Sequence, residues 1–129
     1  MTTQQIACHP LLEQQWYHSI ELAPGVFTRG WGFENIILTR LLLWSCPAEA
    51  AVCLDIGAME GLVSFLLERR GAARVISYDR NNKPSAPVSN GDRFLYARAA
   101  LGSAVEQVYD IPLAELRRRC ALLGARSST

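Results

Sequence analysis

Short, continuous apolar segments alternate with longer segments in which apolar residues recur every three or four positions. Residues 51–56 (AVCLDI) form the clearest continuous segment, and they predict a strand buried on both faces of a sheet. Residues 61–70 have helical periodicity, and Gly71 predicts the end of that helix. Further elements are predicted as strands over 74–78 and 105–111, helices over 94–101 and 113–123, and a loop over 81–92. This order predicts an α/β fold with parallel strands joined by right-handed crossovers.

The first fifty residues follow a different pattern. Residues 1–15 predict a short amphipathic helix with Leu11 and Leu12 on its apolar side. Residues 16–32 (WYHSIELAPGVFTRGWG) are rich in aromatic residues and interrupted by proline and glycine, which predicts a loop or lid. Residues 33–44 again have helical spacing. Three aromatic side chains in this region are predicted to pack in the interior: Trp31, Phe33 and Trp44.

Length, composition and charge restrict the class of protein. The chain has 129 residues, of which 50% are hydrophobic and 19% charged, and this composition fits one globular domain and excludes a disordered chain. The formal net charge of +1 gives no global field that would attract nucleic acid. The arginines at 117–119 are therefore interpreted as a solvated helix face.

Compartment and metal content are also constrained by the residue pattern. The apolar segments are too short to cross a bilayer, and the N-terminus has no signal-peptide pattern, so we expect no membrane partner. Cys8, Cys46, Cys53 and Cys120 lack the spacing of metal ligands. We interpret them as reduced thiols of a cytoplasmic protein, and we predict no metal site.

The segment that carries chemistry spans residues 52–80, where two predicted strands each end in an aspartate. Asp55 ends the first strand, and Asp79 ends the second strand 22 residues after Gly57. Gly57 permits a sharp turn and a close approach of a ligand to the backbone, and Gly61 lets the following helix pack closely. In such a unit the second acidic residue accepts hydrogen bonds from the ribose hydroxyls of a nucleoside cofactor.

Met59 and Glu60 narrow the choice of cofactor. A pyrophosphate-binding loop favours a third, central glycine, where this chain has Met59. A bulky side chain beside a carboxylate disfavours the phosphates of a dinucleotide and suits a ligand with ammonium and sulfonium charges. The loop therefore favours S-adenosylmethionine over NAD.

The motifs LDIGAMEG, SFLLERRGA and YDR resemble motifs I and II of class I S-adenosylmethionine-dependent methyltransferases. The upstream segments WYHSIEL and PGVFTRGW are similar to the entry segment of one branch of that family. This branch includes tRNA wobble-uridine carboxymethyltransferase-like proteins and small-molecule methyltransferases of bacterial biosynthetic clusters. The resemblance covers about residues 16–111.

The resemblance implies a cofactor site built from three strand ends. Asp55 and the loop glycines would line the methionine side of the cofactor, Asp79 would hold the ribose, and Arg80 would lie beside the adenine. A polar contact to the adenine would come from the end of the third strand. The cofactor-binding residues implied in this way are Asp55, Gly57, Ala58, Met59, Gly61, Asp79, Arg80, Asp110 and Ile111.

The aromatic entry segment is expected to act as a lid. By the resemblance, Trp16, Tyr17 and His18 would fold over the cofactor, and Arg29 could reach its carboxylate. His18 is a candidate general base, and the alternative is a lid histidine stacked on Trp16 or Tyr17. No other candidate catalytic residue emerges from the sequence.

The chain departs from the family after the third predicted strand, where relatives continue with further strands and acceptor-binding insertions. We therefore expect a truncated Rossmann-like, doubly wound parallel sheet of about three strands. The single domain would comprise a lid segment (1–50), a cofactor-binding core (51–123) and a tail (124–129). Strand 51–56 would be a bare sheet edge, which predicts a homodimer or higher homo-oligomer, with a six-stranded sheet if the two edges pair.

Three functional hypotheses follow from these features. The first is an S-adenosylmethionine-binding protein that transfers a methyl group to a small-molecule acceptor in a site completed by oligomerisation. The second is a non-catalytic remnant or interaction subunit that binds the cofactor, or its product S-adenosylhomocysteine, without methyl transfer. The third is a cofactor pocket reused for another reaction, in which the sulfonium charge acts only electrostatically.

Overall fold

The computed structural model describes residues 1–32, 37, 39–41, 44–85 and 88–127. Its N-terminal part contains helix α1 (Thr3–Ala7), a 3-10 helix (Pro10–Glu13), and strands β1 (Glu21–Ala23) and β2 (Val26–Phe27). The remaining elements are β3 (Val52–Ile56), α2 (Leu62–Arg69), β4 (Arg74–Tyr78), α3 (Asn90–Leu101), β5 (Glu106–Val108) and α4 (Leu113–Ser127). The predicted α/β class is confirmed.

The three strands β3, β4 and β5 form one parallel sheet, in that order. Its register pairs Asp55 with Ser77, and Ser77 with Gln107. The first strand of the unit therefore lies at a sheet edge in the described part of the chain, as predicted. The prediction that this strand is buried on both faces is wrong, because one face of it is exposed: Val52 46%, Leu54 39% and Ile56 58%.

Helix and strand boundaries depart from prediction where local hydrogen bonds outweigh periodicity. Helix α3 begins at Asn90 rather than at 94, because the Ser89 hydroxyl accepts from Asp92 N and the Asp92 side chain accepts in return from Ser89 N. Strand β5 ends at Val108 rather than at 111, since the following segment turns at Asp110, where φ is +55°. Helix α4 continues to Ser127, so the predicted tail is largely helical.

The N-terminal segment is more ordered than its composition indicates. The predicted helix over 1–15 is two short helices, interrupted before Pro10, where the His9 ring accepts from Leu11 N. The segment 16–32, predicted as a loop or lid, contains the antiparallel hairpin β1-β2. The Thr28 hydroxyl accepts a hydrogen bond from Ile20 N and donates one to His18 O. These two bonds stabilise the hairpin.

Residues 37, 39–41 and 44 are helical, and the other positions of the predicted helix 33–44 lie outside the described residues. The prediction that Trp31 and Trp44 pack in the interior is wrong, because these side chains are 72% and 79% exposed. Phe33 lies outside the described residues. Exposed aromatic side chains of this size mark a surface that could contact another molecule.

The hydrophobic core joins α2 and α3 to the N-terminal segment. Trp16 is fully buried within it, and its indole N–H donates to Leu11 O at 2.9 Å. Phe65 of α2 and Phe94 of α3 stack with ring centroids 5.4 Å apart. Tyr78 and Leu116 are buried outside this cluster, and the Tyr78 hydroxyl donates to Ile111 O at 2.6 Å. The core thus fixes the N-terminal segment against the helix that follows the glycine loop.

The surface of α4 agrees with its interpretation from sequence. Arg117, Arg118 and Arg119 are all exposed, and the last two form ion pairs with Glu115 on the same helix. In the described part of the chain, none of the helices combines the length and apolarity that a membrane span requires.

Candidate functional site

Three segments meet at the carboxyl edge of the sheet: the loop 57–61 after β3, residues 79–80 after β4, and residues 109–111 after β5. Backbone hydrogen bonds join the ends of neighbouring strands. Gly57 N donates to Tyr78 O at 2.8 Å, Asp79 N donates to Val108 O at 3.1 Å, and Asp110 N donates to Arg80 O at 3.2 Å. The structure therefore brings the residues predicted for the cofactor to one edge. This edge is where open α/β sheets bind their ligands.

The glycine loop has two glycines that serve different purposes. Gly57 has φ +76°, and a Cβ at this position would meet nothing within 4 Å, so the backbone there faces open space. Gly61 has φ +93°, and a Cβ would lie 2.7 Å from the Phe94 ring. Gly61 therefore lets the loop pack closely against α3 as well as against α2, the helix that follows it. Met59 lies between them with φ +48°, a conformation that is unusual for a residue with a side chain.

Asp79 holds the loop in this conformation. Its Oδ2 accepts from Met59 N at 3.0 Å, and its Oδ1 accepts from Asn81 N at 3.0 Å. The Asn82 side-chain amide donates to Met59 O from the other side. The aspartate predicted to bind ribose is therefore already connected to the loop that would hold the rest of the cofactor.

Glu60 is fully buried and connects three parts of the chain. Its carboxylate accepts from Tyr17 N and His18 N, each at 2.9 Å, and from Arg93 Nε at 3.1 Å. A buried carboxylate requires such a set of donors, because an unpaired charge in the interior is strongly unfavourable. Glu60 thereby fixes the N-terminal segment to the glycine loop and to α3.

His18 and Asp55 lie close enough to influence each other's protonation. Burial lowers the pKa of His18, and the nearby carboxylates of Glu60 and Asp55 oppose that shift. Its Nδ1 is buried without a hydrogen-bond partner, 3.8 Å from Glu60 Oε1. Burial raises the pKa of Asp55, although its Oδ2 accepts from the Ser64 hydroxyl at 2.7 Å. His18 is therefore held as a neutral imidazole beside a group of carboxylates.

Replacing His18 with glutamine is expected to make stability less dependent on pH. Because burial lowers the folded-state pKa below 6.5, the unfolded chain binds more protons just below that pH, and wild-type stability falls as the pH decreases through this window. Asp55 acts with the opposite sign, since its raised pKa favours the folded state as acid is added. Urea unfolding should show that the free energy of unfolding decreases less steeply from about pH 7.5 to about pH 5.5 for His18→Gln than for wild type. Equal pH slopes in the two proteins would contradict the assigned environment of His18.

The remaining candidates of the lid segment differ in their surroundings. Trp16 has no exposed surface to offer a ligand. Tyr17 is 46% exposed, and its ring packs edge-on against His18 at 5.1 Å between centroids. The Arg29 guanidinium forms an ion pair with Glu13 at 3.2 Å, so in this conformation it is engaged elsewhere. Glu60 holds the backbone of Tyr17 and His18 against the glycine loop.

At the predicted adenine side, the groups are exposed or half-buried. Arg80 is exposed, and Asp110 forms an ion pair with Lys83 at 3.6 Å. Ile111 is half-buried, and its carbonyl is occupied by the Tyr78 hydroxyl. These residues border the site without enclosing it.

Two hollows elsewhere contain none of the residues predicted for the cofactor. A hollow of about 240 Å³ separates the hairpin from α2, with Phe27, Arg40 and Arg69 among its lining residues. A second hollow of about 300 Å³ shares Arg40 and Arg69 with the first and adds Trp44. Neither hollow is lined by Asp79 or Gly57, so both lie outside the candidate site at the carboxyl edge of the sheet.

Sequence reasoning missed three residues that hold the site: Glu60 in its buried role, its partner Arg93, and Asn82, whose amide donates to Met59 O. The sequence indicates Glu60 only as a charge that disfavours phosphates. Nothing in the spacing links Glu60 to Arg93, which lies 33 positions later. A signal for the buried role is the position of Glu60 inside the loop, directly before Gly61, where the turn directs it inward.

No protein-family model matches this chain, and a search of curated proteins finds no match. The family resemblance therefore rests on the motif residues themselves. All four cysteines are free, and in the described part of the chain no three His, Cys, Asp or Glu side chains gather as metal ligands would.

Proposed function

We propose that this chain binds S-adenosylmethionine at the carboxyl edge of its three-stranded sheet, in the manner of class I methyltransferases. The observation that carries the proposal is the contact between Asp79 and the glycine loop, where Oδ2 accepts from Met59 N at 3.0 Å. A carboxylate placed at the second strand end and beside a glycine loop is the arrangement that receives a nucleoside. The proposal includes a Rossmann-like relationship of the fold and a cytoplasmic location, which the four free thiols support.

The residues at this edge fit the chemistry of that cofactor. The Asp79 carboxylate has roughly four lone-pair positions, and the loop and Asn81 occupy two of them, which leaves acceptors for two ribose hydroxyls. The space beside Gly57 is open to a ligand. The carboxylates of Asp55 and Asp79 lie close enough to interact electrostatically, and they favour a ligand that carries ammonium and sulfonium charges.

The bound cofactor would supply an electrophilic methyl group, and the chain's own residues would orient it. Asp79 would fix the ribose, and the loop 57–61 would pack against the amino-acid portion. His18, neutral because of its burial, could accept a proton from an acceptor hydroxyl, amine or thiol. Transfer to a small-molecule acceptor depends mainly on alignment of the nucleophile with the methyl carbon.

A second function, binding without methyl transfer, is favoured by a specific observation. Strand β3 is a sheet edge, and Ile56 at its end is 58% exposed, so the described residues of one chain provide no wall on that side of the site. A nucleophile would not be confined there. In this alternative the protein binds the cofactor or S-adenosylhomocysteine as an interaction subunit.

Replacing Asp79 with asparagine is expected to weaken S-adenosylmethionine binding by about 10- to 100-fold, as measured by calorimetry. The substitution keeps an oxygen for Met59 N but removes the negative charge, and a hydrogen bond to a charged group contributes roughly 1.5–3 kcal/mol. S-Adenosylhomocysteine should lose affinity to a similar degree, because it has the same ribose.

Glu49→Gln is the matched control for this experiment. Glu49 is an exposed carboxylate, whereas Asp79 is half-buried, and Glu49 precedes β3 at the opposite, amino end of the strand. Its substitution should leave the affinity unchanged. Equal affinity of wild type and Asp79→Asn would show that the ribose does not lie at Asp79.

A further inference from the structure

In the part of the chain that the structure describes, β3 has one edge without a neighbouring strand, and this free edge has the features of a strand that pairs with another strand. Ala51 and Gly57, which flank β3, each form a backbone hydrogen bond of 2.8 Å to the β4 side. Because backbone groups alternate in direction along a strand, those of Val52, Leu54 and Ile56 face the free edge. Unpaired edge groups of this kind accept a further strand.

This edge lacks the devices that prevent strand addition. Natural edges are blocked by lysine, proline, bulges or inward-facing charges. The residues on the exposed face of β3 are all apolar, and its one charged residue, Asp55, is half-buried on the other face and hydrogen-bonded to Ser64. The sequence VCLDI contains neither lysine nor proline.

We propose that β3 pairs with β3 of a second copy of this chain, antiparallel about a two-fold axis at Leu54, to form a six-stranded sheet. In this register Leu54 lies opposite its own symmetry mate, and Val52 lies opposite Ile56 of the partner subunit. All three positions become hydrogen-bonded pairs, which gives about six backbone hydrogen bonds. The strand is therefore self-complementary, and that property selects a second copy as the occupant.

The alternative two-fold registers either place like charges opposite each other or leave residues of β3 without an opposing residue. An axis at Asp55 would place two carboxylates directly opposite each other, which is unfavourable. An axis at Cys53 would leave Ile56 without an opposing residue inside the strand. Only the register centred on Leu54 opposes all five residues of β3. It aligns the apolar side chains of the exposed face with one another and places Cys53 opposite Asp55 of the partner subunit.

The pairing also places the partner beside the candidate site. Because the two strands run antiparallel, the amino end of the partner's β3 lies next to Ile56 and Gly57. The second copy would then provide a wall on the side that one chain leaves open. Pairing itself does not require the cofactor, so it can fail or succeed independently of the proposed function.

Leu54→Lys tests this pairing by sedimentation in the absence of cofactor. Wild type is expected to have twice the mass of the 14.3 kDa chain at micromolar concentration, and Leu54→Lys the mass of one chain, because the two introduced charges would face each other at the axis. Val88→Lys is the control, since Val88 is 44% exposed, close to the 39% of Leu54, but lies on the loop before α3. It should remain a dimer.

Amide hydrogen exchange provides a second measurement on the wild type. The Leu54 amide should be protected at high protein concentration and should lose protection on dilution, and this readout does not depend on whether a variant folds. A monomeric wild type, a Leu54→Lys dimer, or open-ended aggregates instead of a dimer would each overturn the proposal. So would a Leu54 amide whose exchange is independent of concentration.

Discussion

Replacing Glu60 with alanine is expected to lower the free energy of unfolding by about 3–5 kcal/mol. The substitution leaves the Arg93 guanidinium partly buried without its carboxylate, and it leaves the amides of Tyr17 and His18 without acceptors. Domains of this size are stable by roughly 5–15 kcal/mol, so the loss is a large part of the total. Urea unfolding followed by circular dichroism measures it directly.

The matched control is Glu49→Ala, which removes an exposed carboxylate from the same protein. It should change stability by less than about 0.5 kcal/mol. The double variant Glu60→Ala with Arg93→Ala should recover part of the loss, because no buried charge then remains unpaired. A Glu60→Ala protein as stable as Glu49→Ala would show that the N-terminal segment is not fixed through this carboxylate.

Replacing Gly61 with alanine is expected to destabilise the protein by about 2–5 kcal/mol, which combines two separate costs. The backbone at φ +93° is unfavourable for any residue with a side chain, and the added methyl group would lie 2.7 Å from the Phe94 ring. Because Phe94 is fully buried and stacked on Phe65, it cannot move aside freely. Thermal unfolding and urea unfolding should both show that Gly61→Ala is less stable than wild type.

Gly57→Ala separates the two costs. Gly57 also has positive φ, but a Cβ there meets nothing within 4 Å, so only the backbone cost of about 1–2 kcal/mol applies. Gly57→Ala should therefore be clearly more stable than Gly61→Ala. Its methyl group would enter the open space beside the loop, so the loss of free energy of cofactor binding should exceed the loss of free energy of unfolding. Equal losses of stability at the two positions would contradict the close packing of α3 on the loop.

The sequence predicts the α/β core well because its elements are encoded locally. Strand β4 has the predicted boundaries, and α2 follows its loop and ends before Gly71 as expected. The sequence also predicts the edge position of β3. It overestimates the burial of this strand, because a continuous apolar segment is typical of an interior strand and carries no information about whether a neighbour is present.

The contacts that hold the candidate site could not be predicted from local patterns. Glu60 meets residues 42, 43 and 33 positions away, and only the folded chain brings these groups together. The hairpin β1-β2 was hidden for a different reason. Its strands have three and two residues, too few for an alternating pattern, and proline and glycine interrupt the segment that contains them.

The most direct test of the central claim is amide NMR of the wild-type protein titrated with S-adenosylhomocysteine. We predict saturable shifts concentrated at Gly57–Gly61, at Asp79 and Arg80, and at Asp110 and Ile111, with smaller changes at Tyr17 and His18. The hollow between the hairpin and α2 should not respond, and Phe27 and Arg69 on its walls report on it. No saturable shifts, or shifts confined to that hollow, would contradict a cofactor site at the carboxyl edge of the sheet.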